Sequence, residues 1–137
     1  MIGILLVTHA NLGSTLIETV EFILASQQDH LSSVSINIKE DPDSLRKKIK
    51  KEISKVKTEN GVIILTDMFG GTPSNISYSF LEEGQVEVIS GVNLPILLKA
   101  VTSRTKMNME TLTLALVEHG KKSISLASGI LKGTKRA

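Results

Sequence analysis

Two side chains occupy positions where chemistry is commonly done. His9 closes the apolar run Ile2 to Val7, and Asp67 follows the apolar run Val62 to Leu65. Uninterrupted apolar runs of this length read as buried parallel strands, so both residues are expected at strand C-terminal ends. After Asp67, Gly70 and Gly71 permit a sharp turn, and Thr72-Pro73 reads as a helix start with a hydroxyl cap and Pro at the first position. A helix start offers free N–H groups and partial positive charge to an anion. An acid beside an imidazole can hold Nδ1 protonated and leave the Nε2 lone pair free, as a general base or as the nucleophile itself.

Other chemistries lack their parts. A serine triad needs a nucleophile elbow, and no G-x-S-x-G occurs. Zinc catalysis needs further ligands, and neither His30 nor His119 stands at a supporting spacing. Those two histidines read as structural or exposed, with His119 near a helix C-terminus as a dipole partner. No phosphate-binding G-x-x-x-x-G-K-[ST] is present, so direct use of ATP is not indicated. What fits is His9 as nucleophile toward a phosphoryl group, with no metal and no cofactor. Backbone donors at Gly70 and Gly71 would receive the charge, helped by the hydroxyls of Thr8, Thr72 and Ser74. Thr72 reads equally well as a helix cap alone. Phe69 is expected over the imidazole or on a partner-docking rim, and Met68 fills space.

The elements that must bring His9 and Asp67 together follow from the pattern. After the first strand, Ser14 is expected to cap a helix with Leu16, Ile17, Val20, Ile23 and Leu24 on one face. A connector from Gln27 to Leu31 leads to a second strand, in which Val34, Ile36 and Ile38 alternate with polar residues, as near a sheet edge. Asp41-Pro42-Asp43 starts a second helix with Asp43 as cap and Leu45, Ile49, Ile53 and Val56 as its apolar stripe. Asn60-Gly61 closes it. The Pro73 helix is expected to run through Ile76, Phe80 and Leu81 to Gly84, followed by a fourth strand, Val86 to Ile89, and the turn Ser90-Gly91. Asn93-Leu94-Pro95 starts another helix, Arg104 to Asn108 is a polar connector, and Met109 to Glu118 is a last helix ended by Gly120. Ser123 to Ala127 alternates weakly and reads as a short final strand, with a frayed tail after Gly129.

Strands alternating with helices imply a doubly wound α/β fold with a mainly parallel sheet, helices on both faces and right-handed crossovers. Ligands of such sheets sit at the strand C-termini where the winding reverses. In a 2-1-3-4 order, His9 and Asp67 meet there, and Nδ1 of His9 should lie within hydrogen-bond reach of an Asp67 oxygen.

Composition bounds the rest. The 137 residues fit one domain, 1–137, with 41% hydrophobic residues and a net charge of +2, too small to imply nucleic acid. Basic residues at Arg46, Lys47, Lys48, Lys50 and Lys51, and at Lys132, Lys135 and Arg136, read as a solvated face and a tail, or as a docking surface for an acidic partner. The chain has no Cys, which removes disulfides and thiolate chemistry and fits a reducing cytoplasm. The first apolar run is too short to span a bilayer and lacks a basic leader, so no direct membrane insertion is expected. No Trp and few aromatics argue against a stacking platform for single-stranded nucleic acid.

Together these residues resemble the enzyme IIA domains of the mannose family of the bacterial phosphoenolpyruvate-dependent sugar phosphotransferase system. The resemblance is carried by ILLVTHANLGSTL around His9, GVIILTDMFGGTPSN around Asp67 and EVISGVNLPILLKAV from Glu87 to Val101, in the same order and separation, over nearly all of Met1 to Glu118. It implies a phosphotransferase in which His9 accepts phosphate on Nε2 from the phosphohistidine carrier HPr and passes it to a histidine of a IIB protein, with Asp67 orienting the ring. IIC and IID membrane components would then be indirect partners. It also implies a homodimer in which an antiparallel fifth strand, here Ser123 to Ala127, joins the partner's sheet. Some relatives carry Trp where Phe69 stands. The chain ends without a linker and IIB domain, so IIB is expected as a separate protein. The phosphotransferase subunit that feeds dihydroxyacetone kinase is a related alternative, but its short Asp-Met-Gly-Ser stretch differs from Asp67 to Pro73 here. A regulatory protein that signals carbon status through phosphorylated His9, without transport, would use the same residues.

Overall fold

The computed structural model of the chain describes residues 1–37, 39–68 and 70–132. Ile38, expected in the second strand, Phe69, expected at the docking rim, and the tail residues Lys135 and Arg136 lie outside them.

Among the described residues four strands, β1 (Gly3–His9), β2 (Leu31–Ile36), β3 (Val62–Thr66) and β4 (Val86–Ser90), form a parallel sheet in the order β2-β1-β3-β4. This is the expected topology. Among the described residues six helices surround the sheet: α1 (Leu12–Leu24), α2 (Pro42–Val56), α3 (Thr72–Ser77), α4 (Leu94–Ser103), α5 (Met109–Lys122) and α6 (Ala127–Leu131). A 3-10 turn, Tyr78–Phe80, extends α3.

Side-chain alternation along β1 and β3 divides the core. Ile4, Leu6, Ile63 and Leu65 pack with Val20 of α1, with Leu97 and Ala100 of α4, and with Leu112 and Leu116 of α5. Leu5, Val7, Val62 and Ile64 pack on the other face with Leu45, Ile49, Ile53 and Val56 of α2 and Ile76 of α3. Both central strands are covered twice, which is why they read as continuous apolar runs. Each fully buried Ile or Leu contributes roughly 1.5–3 kcal/mol of transfer free energy, so the central strands anchor the sheet. Edge strand β2 is buried at Val34 and Ile36, as its alternation predicts.

Helix α1 lies on one face, and α2 and α3 lie on the other. The β1–α1–β2 connection moves one way across the sheet, while α2 crosses back over β1 to reach β3. The winding therefore reverses between β1 and β3. Their register, Gly3 opposite Val62 through Val7 opposite Thr66, brings His9 and Asp67 to the same end.

Several element ends differ from the sequence expectation, each for a local reason. Asn11, not Ser14, precedes α1, and the Ser14 hydroxyl donates to the Asn11 carbonyl at 3.0 Å. Asp41 rather than Asp43 caps α2, since Pro42 takes the first helical position and Ser44 N–H donates to the Asp41 carboxylate. Asn60-Gly61 does not close α2, which ends at Val56; Gly61 belongs to the turn before β3, with its N–H donating to Thr58. Helix α3 stops at Ser77 and tightens into the 3-10 turn. Gly120 lies inside α5, where a Cβ would come within 2.5 Å of the Ile96 side chain. A close approach, not a helix stop, is what that glycine serves.

Ser123 to Ala127 forms no strand in the single chain. α5 runs on to Lys122, the Ser123 hydroxyl closes onto the His119 carbonyl, and Ala127 begins α6. Ile124 and Leu126 stay exposed, and among the described residues β3 is the one strand that pairs with β4, whose first residue Val86 also bridges to Glu82. A weakly alternating segment has no ladder partner of its own here, and the short helix α6 takes up the Leu126 carbonyl through the N–H groups of Gly129 and Ile130.

Candidate functional site

His9 is the last residue of β1, and Asp67 stands one residue beyond β3. The imidazole Nδ1–H donates to Asp67 Oδ2 at 2.8 Å, and the His9 backbone N–H donates to the same oxygen at 2.8 Å. Asp67 Oδ1 accepts from Met68 N–H at 2.9 Å. The carboxylate is thus held by three donors from two chain segments. Its side chain is only 12% exposed, against 43% for His9, so the acid is enclosed while the ring reaches solvent.

Burial works against the Asp67 charge, yet the hydrogen bonds from His9 and Met68 outweigh it and hold the carboxyl below its ordinary value. Asp67 is therefore an anion at neutral pH and can only accept. With Nδ1 donating to it, the proton of a neutral imidazole is placed, and Nε2 carries the lone pair. The expectation that Nδ1 of His9 lies within hydrogen-bond reach of an Asp67 oxygen is met.

The turn after β3 lies against the ring. Gly70 adopts a φ of +82°, which favours glycine. Gly71 precedes α3 in an extended conformation, and a Cβ added to it would come within 3.1 Å of His9 Cε1. So Gly71, not Thr72, holds the cap position. Thr72 is the exposed first residue of α3, and Pro73 is buried at the second. Met68 is exposed and fills no interior space.

Thr8 and Ser74 sit elsewhere than a shared phosphate site would require. Alternation along β1 points Thr8 away from His9, into the α1 face, where its buried Oγ1 accepts from Gly13 N–H at 2.8 Å. The fully buried Ser74 hydroxyl is bonded to Ser90 Oγ at 2.9 Å. Of the expected hydroxyls, Thr72 alone remains exposed beside the turn.

Two features escaped the sequence reading. An open groove of about 420 Å³ beside His9 is lined by Ala10, Asn11, Ser35, Ile36 and Asn37. Only the β1–β2 register, which sets His9 opposite Ile36, brings these loops together. Ala10 holds a φ of +48° there, a left-handed conformation uncommon for a residue with a side chain. The second feature is the hydroxyl cluster around Ser90, which joins β3, β4 and α3.

A family model described as the PTS system fructose IIA component matches residues 3–117. The fructose-specific EIIA component of the phosphotransferase system of Bacillus subtilis is 30% identical over 138 aligned residues, covering 100% of this chain and 94% of that protein. The mannose-specific EIIAB component of Escherichia coli K12 is 29% identical over 125 residues, or 90% of this chain. The match spans only 38% of that longer protein. Among solved structures, a phosphotransferase system component EIIA from Streptococcus agalactiae superposes with a TM-score of 0.83 at 26% identity, covering 93% of this chain and 98% of that one.

Proposed function

The chain belongs to the mannose family of enzyme IIA components of the phosphotransferase system, and from that membership we propose that it carries phosphate on His9 between phospho-HPr and a IIB protein. Enzyme IIA components of this system carry out phosphoryl transfer and work with HPr and IIB partners. The observation that carries the assignment to His9 is the 2.8 Å contact between its Nδ1 and Asp67, on a ring that is otherwise open to solvent.

The steps follow from that geometry. The Nε2 lone pair attacks the phosphorus of phospho-HPr, the bond to the donor histidine breaks, and the donor ring leaves with its electron pair. Positive charge develops on the His9 ring during attack, and the Asp67 carboxylate lies where it stabilises that charge. The phosphoryl group on Nε2 then stands near the Gly70-Gly71 turn, where backbone N–H groups and the Thr72 hydroxyl can receive its oxygens. The reverse attack by a IIB histidine unloads it. The acceptors are proteins, so the sugar is chosen by partners of this chain.

Transport serves as the primary reading, with IIC and IID as indirect membrane partners and action in the cytoplasm. No helix among the described residues is long and apolar enough to cross a membrane. A homodimer with strand exchange has support in the open edge of β4 and in the exposed apolar residues Ile124, Leu126 and Leu131. Phosphorylation by phosphoenolpyruvate, enzyme I and HPr, followed by transfer to IIB, tests the function. A chain that accepts no phosphate under these conditions would refute it.

A further inference from the structure

We propose that Ser90 is a positioning residue for transfer at His9, acting as the hub of a hydroxyl network that seats α3 and thereby the Gly70-Gly71 turn. The inference rests on the phosphocarrier reading above and adds a residue to it.

Ser90 Oγ has three hydroxyl partners, from β3, from α3 and from the 3-10 turn that follows it. Thr66 Oγ1 donates to it at 2.9 Å from the last position of β3, directly before Asp67. Ser74 Oγ lies at 2.9 Å from α3, and Tyr78 OH at 3.2 Å from the 3-10 turn that extends it. A serine hydroxyl offers one donor and two acceptor sites. With Thr66 donating, one acceptor and one donor remain, shared between Ser74 and Tyr78 in either sense. Ser90 is therefore saturated, and through this one atom β4 ties the end of β3 to α3.

Helix α3 needs such an anchor. Its six residues are too few to be held by their own hydrogen bonds. Ile76 ties it to the apolar core, and Ser77 closes back on the Pro73 carbonyl within the helix. Ser74 makes its polar contact to the sheet, through Ser90. Gly71 directly precedes α3, with so little clearance to the imidazole that an added Cβ would stand 3.1 Å from His9 Cε1. Movement of α3 relative to β4 therefore changes the fit of the turn against the ring.

The Ser90 side chain can be removed without dismantling its loop. Gly91 and Val92 N–H donate to the Thr66 carbonyl at 3.0 and 2.9 Å, and neither bond uses the Ser90 hydroxyl. Ser90→Ala should fold, and Ser90→Thr keeps a hydroxyl. In rapid-quench transfer from phospho-HPr, Ser90→Ala should lower kcat by about tenfold, the worth of one well-placed hydrogen bond, with KM for phospho-HPr unchanged. Ser90→Thr should restore most of the rate. Tyr78→Phe removes one spoke and should give a smaller loss, and it serves as the test if Ser90→Ala does not fold. Wild-type rates from either variant would overturn the proposal, as would a loss in KM alone or equal losses in Ser90→Ala and Ser90→Thr. Wild-type protein is labelled in parallel. If it takes no phosphate the phosphocarrier reading fails, whereas if it labels normally and the variants match it, only the role of Ser90 fails.

Discussion

Replacing Asp67 by Asn separates the charge of this residue from its shape. The carboxylate accepts three N–H groups: two from His9 on Oδ2 and one from Met68 on Oδ1. Asn has a single oxygen. If that oxygen takes the Oδ2 position, both His9 bonds survive as neutral ones and the amide NH2 meets Met68 N–H, donor against donor. Met68 is exposed, so water can serve its N–H, and this orientation should win. The ring bond then falls from the charge-assisted to the neutral class, a difference of about 1–1.5 kcal/mol, or roughly tenfold in rate. In Asp67→Ala the ring has no acceptor and its tautomer is free, and the loss of a charge-assisted bond worth up to about 3 kcal/mol predicts roughly a hundredfold slower transfer. Single-turnover transfer from phospho-HPr measures both. The stability of the same pair gives a second reading with a defined sign. Asp67 has a depressed native pKa, so its contribution is fully present above the unfolded value of about 4 and is lost as pH falls through the native value. The part of the stability gap between wild type and Asp67→Asn that the depressed Asp67 pKa supplies should shrink in acid. Transfer rates unchanged in both variants, or a gap that stays undiminished in acid, would refute the role assigned to the carboxylate.

Two further substitutions probe the turn and the opposite end of the sheet. Gly71→Ala puts a methyl against His9 Cε1 and should slow transfer with little change in melting temperature, because Gly71 already has an extended backbone that alanine adopts freely; a wild-type rate would mean the turn does not fit the ring closely. Arg104→Ala removes a buried guanidinium that donates to the carbonyls of Asp29, His30 and Ile2 at 2.6, 3.0 and 3.4 Å, and it should cost about 2–4 kcal/mol in chemical denaturation while leaving labelling of the folded fraction intact.

The residues differ in how much of their role a sequence can carry. Val62 to Leu65 are covered on both faces, so burial leaves a run that no polar residue interrupts. The pairing of His9 with Asp67 was legible because two such runs end in them and the alternation of strands with helices restricts the order. Position along β1 also decides Thr8, whose hydroxyl was expected near the phosphate although the pleat turns it to the other face. Gly120 and Arg104 show the limit more sharply. A glycine after a helical stripe reads as a stop and an arginine among polar residues reads as exposed, yet one makes room for Ile96 and the other is buried on three carbonyls. Both roles depend on residues distant in the chain. The Ser90 hub needs β3, β4 and α3 placed before it exists at all. Ser123 to Ala127 had too weak an alternation to choose between strand and coil, and the isolated chain offers it no ladder.

The most direct measurement is the location of the phosphate. The chain would be incubated with labelled phosphoenolpyruvate, enzyme I and HPr, alongside His9→Ala, and the product examined for acid-labile, base-stable phosphate and for the substituted ring nitrogen by NMR. Wild type should carry one phosphoryl group on Nε2 of His9 and discharge it to IIB, and His9→Ala should carry none. Label retained in His9→Ala, or found on Nδ1, would contradict a mechanism in which Asp67 occupies Nδ1 and Nε2 receives the phosphate.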